Sequence, residues 1–213
     1  MQLEPAFTAL ILVSAILAIV GEVTGRRRLV YAAKPLTMML ILVLAMGSGG
    51  RGWDLYRIAI LTGLFASIVG DVFLMLPGDR FLPGLLSFLV AHICYIVAFS
   101  TPHALNGGLW VLALMVVYGC AMYGFLFSRL GVLKLPVAAY VAVILAMGWA
   151  AVARFVAEHS SASFDAAVGA LLFIASDSLL AIDRFRKPLR WAGLWILSTY
   201  FGAQLLIAKS VGG

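Results

Sequence analysis

Two aspartates, Asp71 and Asp177, stand well inside long apolar runs. An ionisable side chain at the centre of a membrane helix costs roughly 2.5–3.5 kcal/mol on insertion scales, so two of them need a reason. Each follows a glycine by eight residues, Gly63 and Gly169. Each is expected about five residues before the end of its run, roughly 8 Å of helical rise. Both runs are expected to cross in the same direction, which puts the two carboxylates at one depth. Two carboxylates in a partly dry site hold one proton between them and can serve as general acid and general base. The residues alone allow three other readings. The aspartates could be polar clamps between helices. They could carry protons in a coupled transporter of small molecules or lipids. The chain could also be a non-catalytic lipid-binding or scaffold protein.

Other polar groups map near the same layer. Lys34 is placed at the start of the second run, where it can snorkel to the interface or hold a lipid phosphate. Tyr123 and Tyr140 are placed near the inner ends of the fifth and sixth runs. Ser176 and Ser178 flank Asp177, and Ser67 lies one turn before Asp71 on the same face. His92 and Tyr95 are three apart in the fourth run, and Tyr200 and Gln204 four apart in the eighth, so each pair shares a face. For a single Tyr or Ser, hydrogen bonding between helices is the plainer role. No His or Cys pair has metal-ligand spacing, and His103 and His159 fall in loops remote from His92. There is no Gly-x-Ser-x-Gly elbow and no glycine-rich phosphate loop. Neither a metal nor an organic cofactor is expected.

The elements that must position these groups follow from composition. Of 213 residues 64% are hydrophobic and 11% charged, against roughly 45–50% and 25% in soluble domains. A soluble globular protein, a disordered chain and a disulfide-stapled module are excluded. Eight apolar runs cover 6–22, 32–48, 57–76, 83–100, 108–127, 135–156, 164–182 and 190–208. They are too long and too continuously apolar for barrel strands, so the expected fold is all-α, a polytopic bundle of eight transmembrane helices in one domain over 1–213. Cys94 and Cys120 fall inside apolar runs and read as small buried residues. The net charge of +6 reflects loop lysines and arginines and does not call for a nucleic-acid partner. Eleven of the fifteen fall in the first, third, fifth and seventh connections or at their edges. The positive-inside rule then places both termini outside the cytoplasm. The first run has no basic residue ahead of it, so it reads as an uncleaved helix of a multi-pass membrane protein, in the inner membrane if the source is bacterial.

A weak internal repeat runs through the chain. Lys34 to Gly47 and Lys134 to Gly148 both open on a lysine with a proline close by and end in Leu-Ala-Met-Gly. The glycine–aspartate pairs Gly63/Asp71 and Gly169/Asp177 repeat as well. The offsets are 100 and 106 residues, four helices in either case. Four is even, so the halves 1–105 and 106–213 would be parallel repeats.

Five segments carry a more specific resemblance. They are Lys34-Pro35-Leu36-Thr37, Gly70-Asp71-Val72-Phe73-Leu74-Met75, Phe88 through His92 to Tyr95, Phe173 through Ser176-Asp177-Ser178, and Thr199-Tyr200 with Ala203-Gln204. In this order and spacing the chain resembles the lysoplasmalogenase (YhhN) family of small multi-helix membrane proteins. The resemblance implies a hydrolase that cleaves the vinyl ether bond of lysoplasmalogens to a fatty aldehyde and a glycerophospho-amino alcohol. It implies catalytic roles for Asp71 and Asp177, and a lysophospholipid substrate taken from among membrane lipids. Lys34, His92, Tyr95, Tyr123, Tyr140, Ser176, Tyr200 and Gln204 are the candidate substrate-binding residues. The implied chemistry suits two carboxylates. The β-carbon is protonated, a neighbouring carboxylate steadies the oxocarbenium ion, and water adds, as glycosidases arrange it for sugars. The family often has two tyrosines where this chain has Tyr200-Phe201, so no polar role is assigned to Phe201.

Overall fold

A computed structural model of the chain describes residues 3–48, 53–100 and 108–212. Two connections expected from sequence, Gly47 to Gly52 and Pro102 to Gly108, lie largely outside the described residues, as does His103. Eight α-helices follow one another: α1 Leu3–Val23, α2 Arg27–Gly47, α3 Leu55–Met75, α4 Phe81–Phe99, α5 Leu109–Phe127, α6 Lys134–Glu158, α7 Ser161–Phe185 and α8 Ala192–Lys209. The fold is the expected all-α bundle, with no strand among the described residues. Where no water can bond the backbone, helices satisfy every N–H and C=O within one segment.

Helix ends follow local chemistry. The Asp54 carboxylate accepts from the Arg57 N–H at 2.8 Å and caps α3. Ser160 and Ser163 cap α7 reciprocally, which satisfies two otherwise orphaned donors. Gly25 takes φ 68° in the turn from α1 to α2, a conformation glycine adopts without steric cost. Two boundaries differ from the sequence reading. α2 starts at Arg27, five residues before the expected 32. Pro35 therefore lies inside the helix and cannot donate to the Tyr31 carbonyl. α7 runs on to Phe185 rather than 182. Asp71 thus lies four residues before its helix ends and Asp177 eight. The distances to the helix ends are roughly 6 and 12 Å, where the apolar runs predicted about five residues for each.

Among the described residues, seven helices are long and apolar enough to cross a membrane. The remaining helix, α8, carries Ser198, Thr199, Tyr200 and Gln204. It packs among α7, α1, α2 and α3, which bury Tyr200 and Gln204, while Ser198 and Thr199 bond carbonyls of their own helix. It still runs the height of the bundle. Gly193 at its start lies against Glu22 of α1, and Ser210 just past its end bonds Tyr56 of α3 at 2.6 Å. Close approach of α3 and α4 depends on two glycines. A Cβ on Gly63 would lie 2.3 Å from the Tyr95 ring, and one on Gly70 would lie 2.8 Å from the Phe88 ring. The core runs from Met38 and Ile41 through Leu64, Tyr95 and Phe173 to Ile207, all fully buried or nearly so.

Candidate active site

Asp71 of α3 is held by two other helices. From α2, the Lys34 ammonium stands 2.9 Å from Asp71 Oδ1. From α8, the Tyr200 hydroxyl donates to Asp71 Oδ2 at 2.6 Å. Asp71 is 1% exposed and the Lys34 side chain 11%, so this is a buried ion pair. Such a pair is costly to desolvate and is sustained by added hydrogen bonds of the kind Tyr200 supplies.

Asp177 on α7 has a different set of partners. The Tyr140 hydroxyl on α6 donates to Asp177 Oδ2 in a short hydrogen bond. His92 on α4 places Nε2 2.9 Å from the Tyr140 oxygen and 3.4 Å from the same carboxylate oxygen. With the Tyr140 proton committed to Asp177, Nε2–H is the form of His92 that can donate to the tyrosine oxygen. The His92 ring is fully buried and held edge-on by Phe173 and Tyr140 at centroid distances of 4.7 and 5.2 Å. Asp177 retains 16% side-chain exposure.

Both carboxylates line one polar cavity of about 550 Å³, within the 300–1,000 Å³ usual for small-molecule sites. Lys34, Ser176 and Tyr200 share its wall. Its rim includes Glu22, Arg27, Gly78, Asp183 and Gly193, from the end of the bundle where the basic connections gather. A second, apolar slot lies between α4, α5, α6 and α7. Asp177, Leu74, Phe88 and Leu180 line both spaces, so Asp177 stands where the polar cavity meets a hydrocarbon wall.

The expected site residues separate into three groups. Lys34, Asp71, Ser176, Asp177 and Tyr200 line the polar cavity, and Tyr140 and His92 hold Asp177. Lys34 differs from its expected setting. It lies two turns inside α2, buried against Asp71, not at the interface. Tyr95 and Gln204 are joined by a 2.8 Å hydrogen bond that ties α4 to α8, and neither lines the polar cavity or the slot. Tyr123 donates to the Lys134 carbonyl at 3.2 Å and lines neither cavity, though it packs against Leu126 and Val137 of the slot wall. Sequence reasoning missed Arg27, Glu22 and Asp183 on the rim, because the arginine cluster read as a topology signal. Among the described residues, no three or more His, Cys, Asp or Glu side chains gather as metal ligands would.

Comparison with known proteins places the chain in a family. The model of the YhhN family matches residues 29–211. Lysoplasmalogenase TMEM86A of Bos taurus is 37% identical over 182 residues, 83% of this chain and 74% of that protein. Lysoplasmalogenase TMEM86B of Homo sapiens is 40% identical over 149 residues, 69% of this chain and 60% of that protein. The uncharacterized membrane protein YhhN of Escherichia coli O157:H7 is 27% identical over 179 residues, 84% and 85% of the two chains. No solved structure matches. The chain belongs to the YhhN family and is a multi-pass integral membrane protein.

Proposed function

We propose that this YhhN-family protein hydrolyses the vinyl ether bond of a lysoplasmalogen-type lysophospholipid, with Asp71 and Asp177 as its catalytic carboxylates. The observation that carries the reading is one cavity lined by both Asp71 and Asp177, each with different partners. The names of the TMEM86A and TMEM86B relatives supply the substrate class. The products are a fatty aldehyde and a glycerophospho-amino alcohol.

In this mechanism Asp177 is the acid. Its proton passes to the β-carbon of the vinyl ether and leaves an oxocarbenium ion on the ether side. Asp71, fixed by Lys34 and Tyr200, faces that cation across the cavity and accepts a proton from the attacking water. The hemiacetal so formed collapses to aldehyde and alcohol as Asp177 takes its hydroxyl proton and Asp71 returns its own proton to the departing glycerol oxygen, so both carboxylates are reset and one water is consumed. Tyr140 and His92 are positioning residues that hold Asp177 in place. The glycerophosphate occupies the polar cavity, where Lys34 and Arg27 are the cationic lining groups, and the amino group lies toward Glu22 and Asp183 on the rim.

The test is aldehyde release from an alkenyl lysolipid by the detergent-solubilised protein. General acid–base catalysis typically contributes about 10²–10⁴-fold. Asp71→Asn and Asp177→Asn should each lower turnover by at least that order while eluting as folded protein. Proton transfer to carbon should also slow the reaction in deuterium oxide. Near-normal aldehyde release by either folded variant would refute the acid–base pair.

A further inference from the structure

We infer that the apolar slot between α4, α5, α6 and α7 seats the hydrocarbon chain of the lipid substrate. The inference rests on the proposed hydrolase reading for its chemistry and adds to it where the chain lies. The slot wall is hydrocarbon, including Leu85, Met122, Val141, Leu145 and Ile174. Its polar groups, Tyr118, Tyr140, Asp177 and Ser178, are all tied into hydrogen bonds. Such a surface offers nothing to a headgroup and suits a chain that leaves water.

Continuity with the polar cavity identifies the occupant. In an alkenyl ether lipid, the two vinyl carbons are the first of the chain and the ether oxygen is the last atom of the polar half. The reacting bond therefore has to lie at a boundary between polar and apolar space. Asp177 is at that boundary, lining both spaces, whereas Asp71 lines the polar cavity alone. A lipid placed with its head in the polar cavity and its chain in the slot brings its vinyl carbons to Asp177.

The slot's inner end is lined by aromatic rings. Phe81 and Phe185 meet edge to face there at 5.5 Å, beside Leu126 and Val137. It is also narrow, about 60 Å³, so a chain must widen it. The wall able to yield is α5, which buries Val111, Gly119 and Leu126 and leaves most of its other side chains exposed. Its hydroxyl tie to α7 at this level is the 2.7 Å hydrogen bond from Tyr118 to Ser178.

The experiment uses the full-length protein and a lysophosphatidylethanolamine whose saturated ether chain ends in a diazirine. This probe cannot be hydrolysed, so labelling reads the slot whether or not the protein cleaves vinyl ethers. Photolysis should mark slot-facing residues of α5 and α6, Met122 and Leu145 among them, and unlabelled lysolipid should compete. Met122→Trp fills the slot from the least embedded helix. Excluding two methylenes should cut labelling about tenfold or more. Met122→Ala, which leaves the slot open, should retain labelling. On an alkenyl substrate, Met122→Trp should lower turnover of a long chain and spare a short one. Label spread evenly over bilayer-facing residues, unaffected by competitor or by Met122→Trp, would overturn the inference. If aldehyde is released but the label avoids the slot, the hydrolase reading stands and the chain seat fails. If the slot is labelled but no aldehyde forms, the chain seat stands and the hydrolase reading fails.

Discussion

The buried ion pair between Lys34 and Asp71 makes a quantitative prediction. With Asp71 1% exposed and the Lys34 side chain 11% exposed, solvent screens the pair little. Lys34→Met keeps the length and apolar stem of the side chain and removes its charge, leaving the Asp71 carboxylate buried with Tyr200 as its remaining hydrogen-bond donor. Removing one partner of a buried pair costs about 3–5 kcal/mol. For a chain of this size that corresponds to a fall in Tm of roughly 6–20 °C. Asp71→Asn in the same molecule removes the stranded charge, and its amide oxygen can still accept from Tyr200. The double variant should therefore be more stable than Lys34→Met alone, with a coupling of about 2 kcal/mol, inside the usual range for groups in contact. The assay is a thermal melt of wild type, both single variants and the double variant in one detergent. Losses that simply add in the double variant would refute the coupling. Lys34→Met should also lower kcat for aldehyde release as well as raise KM. Lost ground-state binding alone would leave kcat unchanged.

Three further outcomes are expected. Tyr140→Phe removes the hydroxyl that stabilises the carboxylate formed as Asp177 gives up its proton; a lost hydrogen bond to a charged group is worth about 1.5–3 kcal/mol, so aldehyde release should fall about ten- to a hundredfold, and unchanged turnover would remove Tyr140 from the site. Tyr95→Phe strands the Gln204 side-chain oxygen, so the protein should lose about 1–3 kcal/mol of stability while each folded molecule keeps its turnover; lost turnover at full stability would move Tyr95 into the site. A reporter fused after Gly213 should read the compartment outside the cytoplasm and a tag within 184–188 the cytoplasm, as the eleven-to-four split of basic residues requires. A cytoplasmic C-terminus would contradict that orientation.

The number and order of the helices were legible because each apolar run is long and each connection carries Gly, Pro or charge. Helix ends were less so. Arg27 and Arg28 read as loop because they are charged, yet they form the first turn of α2, where arginine side chains can still reach water. The two aspartates were legible as outliers, since a carboxylate in a membrane span is expensive. Their partners were not. Tyr200 lies 129 residues from Asp71, and His92 lies 85 from Asp177. Nothing in a single sequence distinguishes these groups from Tyr95 and Gln204, which bond each other away from the cavity. The apolar slot was invisible for a plain reason. A leucine facing a cavity and a leucine facing lipid are the same letter, and hydropathy reports neither direction.

Partner exchange between the two aspartates bears on how such a site is built. Asp71 on α3 draws on α2 and α8, and Asp177 on α7 draws on α6 and α4. Advancing each helix by four, with α8 passing to α4, turns the first set into the second. This supports the proposal of two parallel four-helix halves, and it selects a register. Tyr140 precedes Asp177 by 37 residues, and Lys34 precedes Asp71 by the same interval. Gly63 and Gly169 keep the 106-residue offset too. Lys134, which the Lys-Pro motif had paired with Lys34 at an offset of 100, sits instead over the Phe127 ring at the edge of the bundle. In the 106 register, a lysine beside one carboxylate corresponds to a tyrosine beside the other. Two carboxylates in identical surroundings would compete for one proton without preference. Here one is ion-paired and almost fully buried in the wall of the polar cavity, and the other is held by a neutral phenol at the edge of hydrocarbon. Environments that differ in this way let paired carboxylates divide acid and base work, and two exchanges, Lys34 for Tyr140 and Tyr200 for His92, separate the two proposed roles.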